Sequence, residues 1–393
     1  MTASVEVGRI DRPAVLPVLV ENLEELEFLS IQRRKLFCDF ETTMPELAEH
    51  DERIEAHFDS LRIGAAASCD VALRALDEAV FPWEVFAAAR TWLELAAPAP
   101  AEVLERIAPA DPALLAGWRE AFRRLPPAIV RTALPAPPEG APDIARALHA
   151  DAWGWHGLLP PTKWDTLAAD ASPLVREAAA RTCGLDARAG DLATSLLDDG
   201  DVRVRRRALW SLALRDPTAA KARARAAATT DTPDEFALRV LGFVGSPRDV
   251  AILSRHAERS PAACRALGDL GDPQALDLLL RLFASENAAV VAGAMDGVLT
   301  IVAPPPPADD ETEAYDPEVV RGVADERRAE LSLGERYVRA QRFAAEPNSA
   351  EDLTELVWKR AILARAPSTE SLRREVPDGF FDAAPLAVSV PGE

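Results

Sequence analysis

A break recurs about every thirty residues in the second half of this chain, and it limits the fold more than any other feature. "ALWSLALRDPTAAKA" (208–222), "LRVLGFVGSPRDVAIL" (238–253) and "ACRALGDLGDPQALDLLLRLF" (263–283) each carry an apolar helical pattern that halts at Gly, Asp or Pro and restarts at once. Pro217, Pro247, Pro273 and Pro304 follow one another at spacings of 30, 26 and 31, and Asp186 precedes Asp216 by 30. Gly, Asp and Pro end one helix and set a tight turn into the next. A single helical hairpin cannot bury its apolar face alone, so a fixed period of this length is the mark of helix pairs stacked on one another.

A second register agrees. "DASPLVREAAARTCGL" (170–185) aligns without gaps on "DGDVRVRRRALWSLAL" (199–214), and in both an Asp precedes an Arg by six: Asp170 and Arg176, Asp199 and Arg205. Each Asp is expected to cap the helix on which the Arg lies, and each Arg to meet an Asp of a neighbouring repeat, forming a ladder. This pattern resembles the HEAT family of repeats, including the phycobilisome-lyase type, over about residues 165–303. The resemblance implies an all-α chain built as an α-solenoid of HEAT-like hairpins. At "SENAAVVAGAMDGVLTIV" Ala292 takes the Arg position, and the ladder stops there.

Composition supports helices. Aromatics are 6% of 393 residues and β-branched residues are sparse, while Ala, Leu and Arg dominate. The expected organisation is an irregular helical N-terminal region (1–143), a repeat solenoid (144–303), a Pro- and acid-rich linker or loop (304–330) and a helical cap with a tail (331–393). In the first of these, "ELAEHDERIEAHFDSLRIG" (46–64) puts Leu47, Ile54, Phe58 and Leu61 on one helical face. "HDERIEAHFDSLRIG" (50–64) and "GERYVRAQRF" (334–343), taken with the repeats, resemble an uncharacterised family of bacterial HEAT-repeat proteins often encoded beside type VI secretion genes. That resemblance implies a secretion-associated accessory or adaptor and no assigned chemistry.

The net charge of −20 argues against nucleic acid as the partner. Four cysteines stand far apart with no C-x-x-C pair, as free thiols in a reducing cytoplasm would. "PAVLPVLV" (13–20) is too short and too Pro-broken for a signal peptide, and no apolar run approaches the ~20 residues of a membrane span. There is no His-Glu dipeptide of the kind HEAT-repeat metal hydroxylases use, no Walker loop, no nucleophile elbow and no dinucleotide fingerprint. No catalytic residue, metal ligand or cofactor is assigned.

Three features bear on binding. His57 reads as a core or capping histidine. "AWGWHGLLPPTKW" (152–164) gathers Trp153, Trp155 and His156 with Trp164, which serve either as a partner-contact cluster or as the joint between the N-terminal part and the repeats. Residues 171–230 hold eleven bases against seven acids, and Arg203, Arg207 and Trp210 share one helical face, a composition common at protein contacts. The expectation is a non-catalytic scaffold or adaptor in the cytoplasm that holds a protein partner. The alternative is a HEAT-type enzyme or ligand carrier, bilin-lyase-like or base-repair-like.

Overall fold

Proline at the first helical position and Asp or Ser just before it set most helix starts in this chain. Pro82, Pro100, Pro127, Pro161, Pro217, Pro261 and Pro317 each open a helix, where a missing N–H costs nothing. Asp201, Asp216, Asp234, Ser260 and Asp316 each accept a hydrogen bond from a backbone N–H of the first turn. The computed structural model describes residues 12–38, 44–108, 110–138, 140–302, 316–333, 335–338 and 341–343. These are helical apart from one short hairpin, and among them no helix is long and apolar enough to cross a membrane.

The chain divides into two compact units, Met1–Thr182 and Cys183–Glu393. In the first, α1 (Arg12–Cys38) packs on α2 (Met44–Gly64). α3 (Ala66–Glu78) packs on α4 (Pro82–Ala96), α7 (Pro127–Ala133) on α8 (Asp143–Trp155) and α9 (Pro161–Ala168) on α10 (Pro173–Thr182), while α5 (Pro100–Ile107), which precedes α6 (Leu115–Arg124), packs on α7 and α8. The even members form a row: α4 packs on α6, α6 on α8 and α8 on α10. Pairing therefore begins near residue 66, well before the expected boundary at 143/144. Its joints there use Pro without the Gly-Asp-Pro signature, which is why the period is hard to read in the sequence.

The "HDERIEAHFDSLRIG" stretch is on α2, with Ile54, Phe58 and Leu61 buried; the Leu47 side chain lies outside the described residues. Its polar members are tied to neighbouring helices. Arg33 on α1 pairs with Asp51. Arg90 on α4 puts Nη2 2.7 and 2.9 Å from the two Glu55 oxygens and lays its guanidinium 3.7 Å over the Phe58 ring. Arg62 meets Glu94 at 2.7 Å, and His57 Nδ1 bonds Asn22 Oδ1 at 2.8 Å. The signature thus reads as the lock between α2 and its neighbours α1 and α4.

In the second unit the stretch 187–198 forms short turns around α11 (Leu192–Ser195). α12 (Val202–Arg215) packs on α13 (Pro217–Ala228) and α13 on α14 (Glu235–Val244), and α15 (Val250–Ala257) packs on α16 (Pro261–Leu270), which α17 (Leu276–Arg281) follows. The long α18 (Ala288–Val302) comes next, and α12, α14, α16 and α18 pack successively. A ladder of ion pairs joins successive pairs at one-repeat spacing: Arg206 to Asp234 (3.1 Å), Arg239 to Asp269 (3.0 Å) and Arg265 to Asp296 (2.8 Å).

The expected ladder arginines reach back to carbonyls at the start of their own helices. Arg176 sends Nη1 to the carbonyls of Asp170 (2.7 Å) and Ala171 (3.1 Å), and Arg205 does the same to Asp199 (2.7 Å) and Gly200 (3.1 Å). Helical side chains lean toward the N-terminus, so these arginines fold back over the turn that precedes their own helix. Asp170 and Asp199 shape that turn, accepting from Ser172 N and Asp201 N at 2.8 Å, while Asp201 caps α12 itself. Asp170 also carries a cross-helix pair with Arg146 at 2.9 Å.

Residues 303–315, most of the acidic stretch, lie outside the described residues. The rest of the expected linker is helix α19 (Pro317–Arg328), packed on α18. The expected helical cap is, in its described part, a hairpin of β1 (Arg336–Val338) and β2 (Gln341–Phe343). Tyr337 N donates to Gly271 O at 2.8 Å. Gly271 ends α16 at φ 74°, and a side chain there would collide with the Tyr337 backbone. Gly322, inside α19, has open space around it. Gly322→Ala should therefore stabilise, by about 1 kcal/mol, raising the thermal midpoint by about 2–4 °C. An unchanged or lower midpoint would show that α19 does not persist as a helix in solution.

Candidate functional site

Helical spacing brings three stripes together in the first unit. On α6 the stripe is Leu115, Arg119 and Arg123; on α8 it is Ala147, Leu148 and Asp151; on α10 it is Leu174, Glu177, Ala178 and Arg181. Each set steps by three or four, so each lies along one side of its helix. All but Arg123 line a crevice with an enclosed volume of about 10 Å³.

Asp151 is the centre and is 1% exposed. Arg123 grips it through Nε (2.9 Å) and Nη2 (2.8 Å). Arg181 reaches Oδ2 through Nη1 at 2.8 Å and holds Glu177 through Nη2 at 2.7 Å. Arg119 Nε approaches Asp151 Oδ2 at 3.4 Å. Burial alone would raise the Asp151 carboxyl, but the guanidiniums of Arg123, Arg119 and Arg181 outweigh it and hold the group below the usual carboxylate range. Burial also pulls Arg123 down to about 10, opposed by Asp151. A carboxylate so placed has no proton to give at neutral pH and little basicity, so it suits binding and cohesion rather than general acid–base work.

The tryptophan cluster braces this centre. Trp155 lies 4.3 Å from the Arg123 guanidinium, and His156 Nε2–H donates to Phe122 O at 2.9 Å. Trp153 Nε1–H donates to Leu134 O at 2.7 Å and stands 4.7 Å from the His149 ring, whose Nδ1–H shares that carbonyl at 3.2 Å. All three expected contact residues are half-buried and tie α8 to α6 and to the end of α7. They make a joint, though one within the first unit.

Burial, opposed by the hydrogen bond to Leu134 and aided by Lys163, lowers His149 to about 4. A lowered folded value means that stability is fully present above the unfolded value near 6.5 and is lost as pH falls toward 4. The loss should reach about 3 kcal/mol. Urea midpoints of the wild type should therefore fall between pH 7 and pH 4.5 more steeply than those of His149→Phe. Parallel slopes would remove the assignment.

The other expected patch comes apart. Arg203 is exposed and forks onto Asp201, the cap of its own helix, at 3.1 and 3.3 Å. Arg207 is half-buried. Trp210 is 1% exposed, in edge-to-face contact with Phe243 at 5.9 Å, so it belongs to the core and not to a contact surface. The cause is that α12 packs against both α13 and α14, leaving mainly its N-terminal turns open to solvent.

The Asp151 cluster lies N-terminal to the Gly-Asp-Pro repeat register, which begins near residue 165. The signal was the period itself: Arg123, Asp151 and Arg181 are 28 and 30 apart, one repeat each. Elsewhere, burial raises the thiols of Cys183 and Cys264 to about 12 and about 11, which makes them unreactive. Among the described residues no group of three His, Cys, Asp or Glu is placed to hold a metal ion.

No family model and no curated protein matches this chain. Among solved structures, the X-ray structure of YibA from Escherichia coli is similar at 15% identity, covering 76% of this chain and 97% of that one, with a TM-score of 0.33.

Proposed function

We propose that the chain is a non-catalytic adaptor of the cytoplasm, a HEAT-like α-solenoid that holds a protein partner, with the α6–α8–α10 cleft as its principal contact. One observation carries this reading: apolar side chains of three helices surround the ion pairs of Arg119 and Arg181 with Asp151 and Glu177 at a crevice whose enclosed volume is about 10 Å³. That is room for about one water, far below the ~300–1,000 Å³ of cofactor and drug-sized pockets, so the crevice offers a contact surface and not a chamber for a small molecule. Arginine beside apolar surface is a composition enriched where proteins meet. The resemblance of "HDERIEAHFDSLRIG" to proteins encoded beside type VI secretion genes offers a setting, that of a secretion accessory.

The test is affinity capture of the tagged full-length protein from its native bacterium, with Leu174→Lys and the pair Arg203→Glu/Arg207→Glu alongside. Leu174 is half-buried at the cleft. The expected result is one or two specific proteins, lost with Leu174→Lys while its unfolding midpoint stays within a few degrees of wild type. Loss only with the Arg203/Arg207 pair would move the contact to α12. Recovery of the protein alone would replace the adaptor reading with a self-assembling structural role.

A further inference from the structure

We propose that the surface formed by α1 and the turn into α4 takes an arginine flanked by apolar side chains, presented by a segment of a partner protein. This is a different surface from the one between α6, α8 and α10, and neither contact depends on the other.

From Val15 to Gln32, α1 holds Glu21, Glu24, Glu25 and Glu27 and no base. Glu21, Glu24 and Glu25 are exposed and Glu27 is half-buried. None of the four has an ion pair among the described residues, and the next base along the helix, Arg33, is held by Asp51. Like charges three and four apart on a helix repel one another. Burial, then Glu84 and Glu24, raise the Glu27 carboxyl to about 7. Three carboxylates thus crowd one another, and an arriving cation would relieve them.

Apolar side chains stand beside these acids. Val20, Glu24, Glu27 and Phe28 lie along one side of α1, and α1 packs on α4, which brings Glu27 beside Glu84. Glu84 closes the turn before α4, its Oε2 accepting from Val80 N at 2.7 Å and Phe81 N at 2.9 Å. In the same turn the rings of Phe81 and Trp83 stack, 4.7 Å apart and within 9° of parallel. Phe28, Val80 and Phe81 are 51%, 68% and 47% exposed. Acids and aromatic faces together suit arginine, whose planar guanidinium forks onto a carboxylate and stacks on a ring. Nucleic acids and acidic lipids are polyanions, which this surface repels. A bare cation would leave Phe28, Val80 and Phe81 in water, whereas apolar neighbours of the arginine would cover them.

The experiment uses the full chain labelled with ¹⁵N-tryptophan, the indole signal of Trp83 being identified by its loss in Trp83→Phe. Three probes are titrated into the millimolar range: acetyl-Leu-Arg-Leu-amide, the same peptide with neutral citrulline in place of arginine, and spermidine. The expected result is a saturable shift of the Trp83 signal with the arginine peptide and at least tenfold weaker binding of the citrulline peptide, which is 1.4 kcal/mol. Spermidine should not saturate the signal, and the response to the arginine peptide should vanish in Glu24→Gln/Glu27→Gln. That double variant should unfold at or above the wild-type midpoint, because it removes repulsion and breaks no ion pair. Equal binding of the arginine and citrulline peptides would overturn the cation, and spermidine matching the arginine peptide would overturn the apolar part. A midpoint several degrees below wild type in Glu24→Gln/Glu27→Gln would give these acids a structural role instead. If Glu21→Gln/Glu25→Gln weakened binding as much, the attraction would belong to the whole acidic helix and not to this surface. No response to any probe would overturn the proposal and leave the contact between α6, α8 and α10 untouched.

Discussion

Asp151→Ala is expected to destabilise the first unit by about 3–5 kcal/mol, because it removes the central anion and leaves Arg123 and Arg181 buried without it. The magnitude follows from the asymmetry of buried ion pairs. Forming one yields little net stability, since desolvation nearly cancels attraction, but deleting one partner strands the other charge in a low dielectric. Asp151 meets guanidiniums from two helices on either side of α8, so its loss should loosen α6, α8 and α10 together. Amide exchange should rise across all three, and the urea midpoint of the full chain should drop or split. Asp151→Asn keeps the shape but not the charge and should lie between wild type and alanine. Arg203→Ala provides the contrast: its fork onto Asp201 is more than half exposed, so the cost should stay below about 1 kcal/mol. A cost that small for Asp151→Ala would mean that the cluster is not organised around this carboxylate.

Gly268→Val should cost the second unit about 3 kcal/mol. A Cβ at Gly268 would stand 2.5 Å from the Gly297 Cα and 2.8 Å from its carbonyl oxygen, both backbone atoms that cannot swing away. The same contact recurs along α16 and α18: a Cβ at Gly293 would meet the Pro261 carbonyl at 2.7 Å, and one at Gly297 the Cys264 carbonyl at 2.6 Å. Replacing a helical glycine gains up to about 1 kcal/mol in propensity, but overpacking costs about 1–3 kcal/mol or more. Here the helices can relieve the clash only by separating, which loosens Leu267, Val298 and Ile301 as well. Alanine should show the same sign at smaller size. Denaturation monitored by exchange in α16 and α18 decides the matter, with Gly322→Ala as the permissive control. A neutral Gly268→Val would show that these helices are not in backbone contact.

The helical class and the repeat could be read directly because both are local. Periodic apolar positions, Pro at helix starts and Asp at caps act over a few residues, so "LGDLGDPQALDLLL" declares its turn without any partner. The same signals weaken where the joints lose their Gly-Asp-Pro form, and the pairs between residues 66 and 143 were legible only as irregular helices. Placement of polar side chains was harder to read. Arg176 and Arg205 stand at ladder positions, yet each closes on carbonyls of its own preceding turn, because a helical side chain leans backward and the carbonyls there lie within its reach.

What the sequence by itself determined is a predominantly helical chain with a break every thirty residues or so, since those properties are set by neighbours along the backbone. Only the tertiary structure decided that Trp210 is core rather than contact surface, and that Arg119, Arg123, Asp151, Glu177 and Arg181 form one cluster. Each of those residues is ordinary on its own helix. Their chemistry exists only because successive helix pairs pack closely enough to bring groups some thirty residues apart within reach of one another, in surroundings that exclude most of the water.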